Sequence, residues 1–434
     1  MHRHFLILLL SMPAIVCAQI SGLLTYEEAV ARALQNNFDI RIAKNNAQIA
    51  GIENNLGAAG FLPKLDLNSS GAFANNATKQ EFSNGQSVNK SGVISKNISA
   101  GAFLTYTLFD GLKMYATKER LNLLEEQGEL HFKIQIENTL EQLTYSYYQI
   151  VMQEQLIKGI NAAMDVSHER IKVAEKKLQI GSGSNVELLQ AKLDLNAQKS
   201  NLITQKNILK EYKNNLTQLM QEKHSSTFSV DTNFAFASME SMDDIKQKIE
   251  NNNRSILYAK KNILVTQQII KELKSQTLPR VGLSSSYAFG RNSNTAGFAL
   301  FTQNIGFNMG FNVTWNVFNG HQVKKQVQVA NIQMQNNLLD VERIQSNLFS
   351  ETNTAYARWI GDKETLALEE ENIKLAEQSL FIMLERMKLG LGNYLETKES
   401  QSSYEAATTR LVTARYNLKE SETRLKKMTG KFVQ

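Results

Sequence analysis

Leu62-Pro-Lys-Leu-Asp-Leu-Asn-Ser-Ser-Gly-Ala-Phe73 and Leu278-Pro-Arg-Val-Gly-Leu-Ser-Ser-Ser-Tyr-Ala-Phe289 are two versions of one twelve-residue stretch, identical at seven positions at a shift of 216. In each, a long polar stretch of helical character ends just before the proline, and a period-2 stretch begins after it. Proline cannot continue a helix and biases its predecessor away from helical angles, so Pro63 and Pro279 mark forced helix-to-strand junctions. A chain that makes this change twice, at matching points, is expected to be two copies of one long unit.

The copies are expected at 19–221 and 241–434, joined by a mixed linker, 222–240, that packs as a belt around the helices. Thr25-Tyr-Glu-Glu28 and Ser241-Met-Asp-Asp244 both place a hydroxyl cap three residues before an acid, the pattern of a helix start. Paired asparagines, Asn36-Asn37 and Asn252-Asn253, then break a short helix from a second one that runs to the proline. After the prolines, β-hairpins are expected at about 64–109 and 280–318. Phe307, Met309, Phe311, Val313, Trp315 and Val317 alternate with Asn308, Gly310, Asn312, Thr314 and Asn316. Ile98, Ala100, Ala102, Leu104, Tyr106 and Leu108 alternate likewise in the first copy. One apolar and one small, polar face over about 10 residues is the signature of a transmembrane β-strand. Residues 74–96 and 290–302, rich in Asn, Ser and Gly, are expected as exposed hairpin tips, and across them the repeat shift falls to 209.

The strands exit at Tyr106-Thr-Leu-Phe-Asp-Gly111 and Trp315-Asn-Val-Phe-Asn-Gly320. Helices are then expected over 113–180 and 322–389, each of 68 residues, or about 100 Å at 1.5 Å per residue. Ile136, Leu143, Ile150, Ile157, Met164, Ile171 and Leu178 form a seven-residue stripe, matched by Trp359, Leu366, Ile373, Leu380 and Met387. That period is a coiled-coil seam. Tip turns at 181–184 (Gly-Ser-Gly-Ser) and 390–393 (Gly-Leu-Gly-Asn) lead into returning helices to 221 and 429. These carry stripes of their own, Leu188, Leu195, Leu202, Leu209 and Leu216, and Leu411, Leu418 and Leu425.

The N-terminus has the form of a signal peptide, 1–18: Arg3 precedes the apolar run from Phe5 to Leu10, and Val16-Cys17-Ala18 suits cleavage before Gln19. Lipidation at Cys17 is the alternative, although Val16 is bulkier than the residue that normally precedes a lipidated cysteine. Export without any disulfide framework follows, because Cys17 is the single cysteine. No later segment has the roughly 20 apolar residues of a spanning helix, so a membrane would have to be crossed by strands. The net charge is +6, with Lys and Arg spread beside Glu and no basic run interleaved with aromatics, which argues against nucleic-acid binding. His131, His168, His224 and His321 lack ligand spacing, and no phosphate loop or nucleophile motif occurs. Neither metal, cofactor nor catalysis is expected.

Four strands cannot close a barrel, since the smallest have about eight, and unpaired edges cannot face lipid. The chain must therefore join copies of itself. The Leu-Pro-Lys/Arg junction, the Trp/Tyr-x-x-Phe-Asp/Asn-Gly strand exit and the Gly-x-Gly turn together resemble the TolC family of outer-membrane efflux proteins, over 24–430. The resemblance implies a mainly α fold with a membrane β-barrel: a homotrimer with a twelve-stranded barrel in the outer membrane and a coiled-coil periplasmic tunnel. It also implies docking on a periplasmic adaptor and an inner-membrane pump of the RND or ABC type, to export drugs, metals or proteins. A structural or adhesive coiled-coil surface protein is the competing class.

The family's pore-facing acids match Glu396 and Glu399, with Glu187 and Gln190 in the first copy. Glu187 and Glu396 also stand at capping-box spacing from Ser184 and Asn393, a structural role by itself. Gly181, Gly183, Gly390 and Gly392 are candidates for left-handed turn positions and for adaptor docking; Tyr106, Phe109, Trp315 and Phe318 for membrane-interface anchors. The family's tip latch uses a Tyr before the turn and an Arg within it, where this chain has Met387 and Gly392.

Overall fold

The computed structural model describes residues 22–222, 228–297, 299–430 and 432. The expected signal peptide with Cys17, His224 and linker residues 223–227 lie outside the described residues. The first copy runs β1 (Leu23–Leu24), α1 (Tyr26–Asn36), α2 (Phe38–Glu53), β2 (Lys64–Glu81), β3 (Ser87–Phe109), α3 (Lys113–Gln179) and α4 (Asn185–Met220). The second runs β4 (Ser229–Val230), α5 (Met242–Asn252), α6 (Arg254–Ser275), β5 (Arg280–Asn294), β6 (Phe301–Thr314), α7 (Gln322–Lys388) and α8 (Tyr394–Met428). Both α3 and α7 have 67 residues. Among the described residues no helix is long and apolar enough to cross a membrane.

Local chemistry sets the same boundaries in both copies. The hydroxyl of Thr25 accepts from Glu28 N at 3.2 Å, and that of Ser241 from Asp244 N at 3.3 Å, each satisfying an amide the helix start leaves over. Asn37 stops α1 and starts α2, its Oδ1 accepting from Asp39 N at 3.0 Å and Ile40 N at 3.2 Å. Its Nδ2 donates to Leu219 O at 3.0 Å, in the last turn of α4. Asn253 does the same in the second copy, donating to Met428 O at 3.1 Å at the end of α8. A side chain at each helix break is therefore tied to the last turn of that copy's returning helix.

The chain divides into two compact units, one holding residues up to Ile42, Ile134–Asn253 and Leu348 onward, the other Ala43–Lys133 and Arg254–Asn347. The core of the first comprises Leu24, Leu143, Tyr147, Ile150, Leu216, Met220, Phe228 and Val230. There β1 pairs in parallel with β4. The described part of the linker is held against the helices: Lys213 donates to Phe228 O at 2.6 Å, and Phe234 stacks on Tyr148.

The α7–α8 seam follows the seven-residue stripe, with Leu366, Leu380 and Met387 buried on α7 and Leu411, Leu418 and Leu425 on α8. On α3 the stripe departs from expectation. Leu143 and Ile150 are fully buried, but Leu178 is exposed, and toward the tip the buried positions are Ala163, Ser167, Arg170 and Ala174. A helix of 3.6 residues per turn drifts about 20° per heptad from a strict seven-residue repeat. Two heptads of drift amount to only about 40°, whereas Ala163 stands about 140° round an ideal helix from Ile150, so toward the tip α3 buries a different face, the one carrying Ala163 and Arg170 rather than Met164 and Ile171.

In the second unit, one antiparallel sheet has the order β2-β3-β5-β6, so the two copies meet at β3–β5. The expected hairpin tips are mostly strand. β2 continues to Glu81 and β3 begins at Ser87, leaving a tight turn closed by Phe82 N to Gln86 O at 2.8 Å. Ladder hydrogen bonds involve the backbone alone, so a stretch polar on both faces pairs as well as an alternating one. The second hairpin also differs from expectation: β6 stops at Thr314 rather than near 318.

Register turns the alternation into two faces. Leu67, Ala102, Tyr287 and Phe307 form one row across the sheet, and Leu65, Leu104, Ser285 and Met309 the next. The opposite face carries Asn68, Gly101, Ala288 and Gly306, then Asp66, Phe103, Ser286 and Asn308. On the first face Leu65, Leu67, Phe73, Tyr287, Phe307, Met309, Phe311 and Val313 are all exposed, Leu67 at 82%. Leaving them in water forfeits on the order of 10 kcal/mol, comparable with the whole stability of a domain.

Asn37 supplies a helix cap and a buried inter-helix bond together, so Asn37→Ala is expected to cost about 1–2 kcal/mol. The check is the midpoint for loss of helical circular dichroism in detergent, against an exposed control such as Asn45→Ala.

Candidate functional site

The tip turns are built alike. Gly181 (φ +74°) and Gly390 (φ +78°) take the left-handed conformation that ends each long helix. The N–H groups of Ser182 and Gly183 donate to Lys177 O at 3.0 and 2.9 Å, and those of Leu391 and Gly392 to Arg386 O at 2.9 and 3.1 Å. Gly183 and Gly392 are not left-handed, contrary to the expectation for all four glycines. Gly183 is required by close approach, since a Cβ there would stand 2.8 Å from Leu178 N.

The acids after the turns differ between the copies. Asn393 Oδ1 accepts from Glu396 N at 2.8 Å while its Nδ2 donates to Glu396 Oε1 at 3.1 Å, so that box is closed. Ser184 instead accepts from Val186 N at 3.1 Å, one residue short of Glu187, and the first box stays open. Glu396 and Glu399 are exposed and Glu187 half-buried.

Near the tips lies a polar cluster that the sequence reasoning missed. Arg170 on α3 has a side chain only 1% exposed. It donates to Gln401 Oε1 at 2.8 Å and to Asp194 Oδ2 at 3.2 Å, and its guanidinium carbon lies 4.3 Å from the centre of the Tyr394 ring. Asp194, on α4, also accepts from Tyr394 Oη at 2.6 Å, Lys398 Nζ at 2.9 Å and Gln190 Nε2 at 3.1 Å. Gln401 Nε2 donates to Ser167 Oγ at 2.9 Å and Glu405 Oε1 at 3.0 Å, and Gln198 reaches the same Glu405 oxygen at 2.7 Å. One Asp on α4 thus gathers an Arg from α3 with a Tyr and a Lys from α8.

Burial alone would raise the Asp194 carboxyl, but hydrogen bonds from Tyr394, Lys398 and Gln190 outweigh it and hold the group below the usual aspartate value. Tyr394 is pushed up, first by burial and then by its bond to the Asp194 carboxylate. An Arg, a Tyr and an Asp therefore meet near the tip although the positions of the family latch are unfilled; here the Tyr follows the turn and the Arg lies on α3. A signal for the cluster existed at the 209 shift, where Arg170 and Asp194 correspond to Ser379 and Ser403. In the second copy Ser379 bonds Ser400 at 3.1 Å.

The other sequence candidates lie in the sheet unit. Tyr106 and Phe109 end β3, Trp315 Nε1 donates to Thr277 O at 3.0 Å, and Phe318 is exposed. Pro63 and Pro279 each stand immediately before the first residue of a strand, β2 and β5. Among the described residues no three His, Cys, Asp or Glu converge to hold a metal ion.

The model of the outer membrane efflux protein family matches twice, at residues 29–221 and 245–431, once per copy. The chain belongs to this family. It is a family of efflux proteins, not of enzymes. Solved structures agree in fold. The Campylobacter jejuni CmeC outer membrane channel is 17% identical, covering 94% of this chain and 85% of its own, with a TM-score of 0.75. The outer membrane protein VceC from Vibrio cholerae is 16% identical, covering 93% and 96%, also at 0.75. The open state of the Neisseria gonorrhoeae MtrE outer membrane channel is 15% identical, covering 93% and 88%, at 0.73. No curated protein matches the sequence.

Asp194→Asn strands the buried Arg170 charge, a loss of roughly 2–3 kcal/mol. Amides in the first turns of α4 should then exchange with solvent at least about tenfold faster. The Asp194 value is depressed in the folded chain, so its contribution is complete above the ordinary aspartate range and disappears only as pH falls through the depressed value. Acid-induced acceleration of exchange at the tip should be present in the parent chain and absent in Asp194→Asn.

Proposed function

We propose that three copies of this chain close edge to edge into a twelve-stranded barrel in the outer membrane of a Gram-negative cell. The long helix pairs then wall a periplasmic tunnel, and the assembly is the passive exit duct of a tripartite export system. The two-faced sheet carries this reading: most of its large apolar side chains on the outer face, mainly small or polar ones (Phe103 apart) on the inner, and an open edge on both β2 and β6. A soluble adhesive protein would cover that apolar face. Three copies fit better than two, because side chains fill an eight-stranded barrel whereas twelve strands leave a lumen.

The chain carries no nucleotide-binding motif, so energy comes from a partner. A periplasmic adaptor, coupled to an inner-membrane pump of the RND or ABC type, would dock at the turns around Gly181, Gly183, Gly390 and Gly392. Exposed Ile180, Val186, Leu389 and Leu391 there offer an apolar surface. The pump selects the cargo, whether drugs, metal ions or proteins. Tyr106, Phe109, Trp315 and Phe318 would anchor the barrel rim at the lipid headgroups, just beyond the junctions that Pro63 and Pro279 set. The Arg170–Asp194–Tyr394 cluster would latch the tips.

Three copies of Glu396 and Glu399 would ring the narrowest point with six carboxylates and favour cations, with Glu187 contributing from the first copy. Glutamine keeps the capping geometry at 396, so Glu396→Gln with Glu399→Gln tests charge alone. Single-channel recordings in planar bilayers are expected to show cation preference lowered by roughly twofold or more. Unchanged selectivity would remove both acids from the pore, and a detergent-purified chain that passes no ions would remove the duct itself.

A further inference from the structure

We infer that the open edge of β6 pairs with β2 of a second copy of this chain in one defined register, a replica of the β3–β5 register inside the chain. The inference rests on the closed-ring reading and adds its geometry. β5 is β2 displaced by 216 residues and β6 is β3 displaced by 209. Inside the chain Gly101 faces Ala288, Ala102 faces Tyr287 and Tyr106 faces Leu283. Under the two displacements these pairs become Gly310 with Ala72, Phe311 with Gly71 and Trp315 with Leu67, the second of each pair belonging to the next copy.

The early end of β6 gives independent support. In the first copy β2 reaches only as far as Thr105, which faces Lys64. Beyond it Tyr106, Thr107 and Phe109 remain strand because β5 pairs them, at Leu283, Gly282 and Val281. In the second copy β5 likewise reaches only Thr314, which faces Arg280. Residues 315–318 correspond to 106–109, yet they are not strand, and Trp315, Val317 and Phe318 are exposed. What they lack is the strand that stands to them as β5 stands to 106–109. By the repeat, that strand is β2 of another copy, supplying Leu65, Asp66 and Leu67.

The glycines after the strands point the same way. Gly111 (φ +73°) is wedged against the end of α6, where a Cβ would lie 2.4 Å from Ser275 O and 2.9 Å from Leu278 Cβ. Gly320 (φ +63°) has the same conformation, but a Cβ there would meet nothing within 4 Å. The groups missing above it are, by the repeat, the Ala59 carbonyl and Leu62 of the next copy; Leu62 is exposed in this chain.

Side-chain size agrees with this register. Inside the chain, small residues on β3 face rings on β5, Ala102 with Tyr287 and Ala100 with Phe289. Across the inferred seam, Phe311 would face Gly71 and Val313 would face Ser69, again large against small, while Met309 would face Phe73 and Trp315 would face Leu67, as Tyr106 faces Leu283 inside the chain. A slip of one residue would put the rings in the lumen. A slip of two would set Phe311 against Phe73 or Ser69.

Cysteine pairs on the lumen face test the register. Gly310→Cys would be combined in turn with Ala72→Cys, Ser70→Cys or Ala74→Cys in the full chain, with each single variant as a control for Cys17. Gly310 has room for a side chain, since a Cβ there would meet nothing within 4 Å. The Ala72 combination is expected to form chain-to-chain disulfides at least about tenfold faster than the other two, because a two-residue slip carries the Cα atoms out of bridging range. Fastest linkage at Ser70 or Ala74 in an assembled particle would overturn the register and leave the ring standing. A particle with the mass of one chain by light scattering in detergent would overturn both.

Discussion

A peptide N–H or C=O without a partner costs several kcal/mol in hydrocarbon, and this one penalty organises the sheet unit. Four strands with polar side chains on one face and rings on the other leave two ladder edges open, on β2 and β6. No rearrangement within the chain satisfies both, because the two copies already meet at β3–β5. The duplication thus solves the problem at one junction and leaves it outstanding at the other. In the proposed ring, association would therefore be part of folding.

The helical unit is governed by a different constraint. Long helices have ample backbone hydrogen bonds of their own, and what they need is a partner for a narrow apolar stripe. On α7 and α8 leucines provide it, with Leu366 and Leu418 in one cluster. On α3 the stripe gives way near the tip to Ala163, Ser167 and Arg170, and packing there depends on a polar network instead of leucine. Such a network orders neighbouring helices most strongly when every member is satisfied, and here Arg170 Nε is buried without a hydrogen-bond partner.

Much of this was legible in the residues. Pro63 and Pro279 placed the junctions, and alternation from Phe307 to Val313 placed the apolar face, because each feature restricts the backbone or the side-chain direction within a few residues. The family, too, could be read from the ordered pair of motif sets. Residues 74–96 are mostly strand where the sequence predicts an exposed hairpin tip, because polarity on both faces erases the period-2 signal while a ladder needs no side chain at all. The pattern of Trp315 to Phe318 continues that of a strand, yet β6 ends at Thr314; whether a pattern becomes a strand depends on a neighbour, and the chain alone provides none. Arg170 and Asp194 gave no local sign, since a charged residue in a long polar helix ordinarily faces water. Only comparison with Ser379 and Ser403 separates them. Ser184 and Asn393 have the same spacing to a glutamate, yet only the longer side chain closed the box.

That difference between the copies has a mechanical side. Near the tips α3 and α4 are joined to α8 through charges, an arginine, a lysine and an aspartate. The crossing of α7 with α8 there uses hydroxyls, Ser379 with Ser400 and Thr397 with the Met383 carbonyl. Burial shields the Arg170–Asp194 pair from added salt, but acid removes the aspartate charge once pH falls through its depressed value, whereas neutral hydroxyls do not titrate there. At the tip, the contact of α3 and α4 with α8 is therefore an acid-sensitive clasp and the α7–α8 crossing one that acid leaves alone, a division of labour that a perfect internal duplicate could not have had.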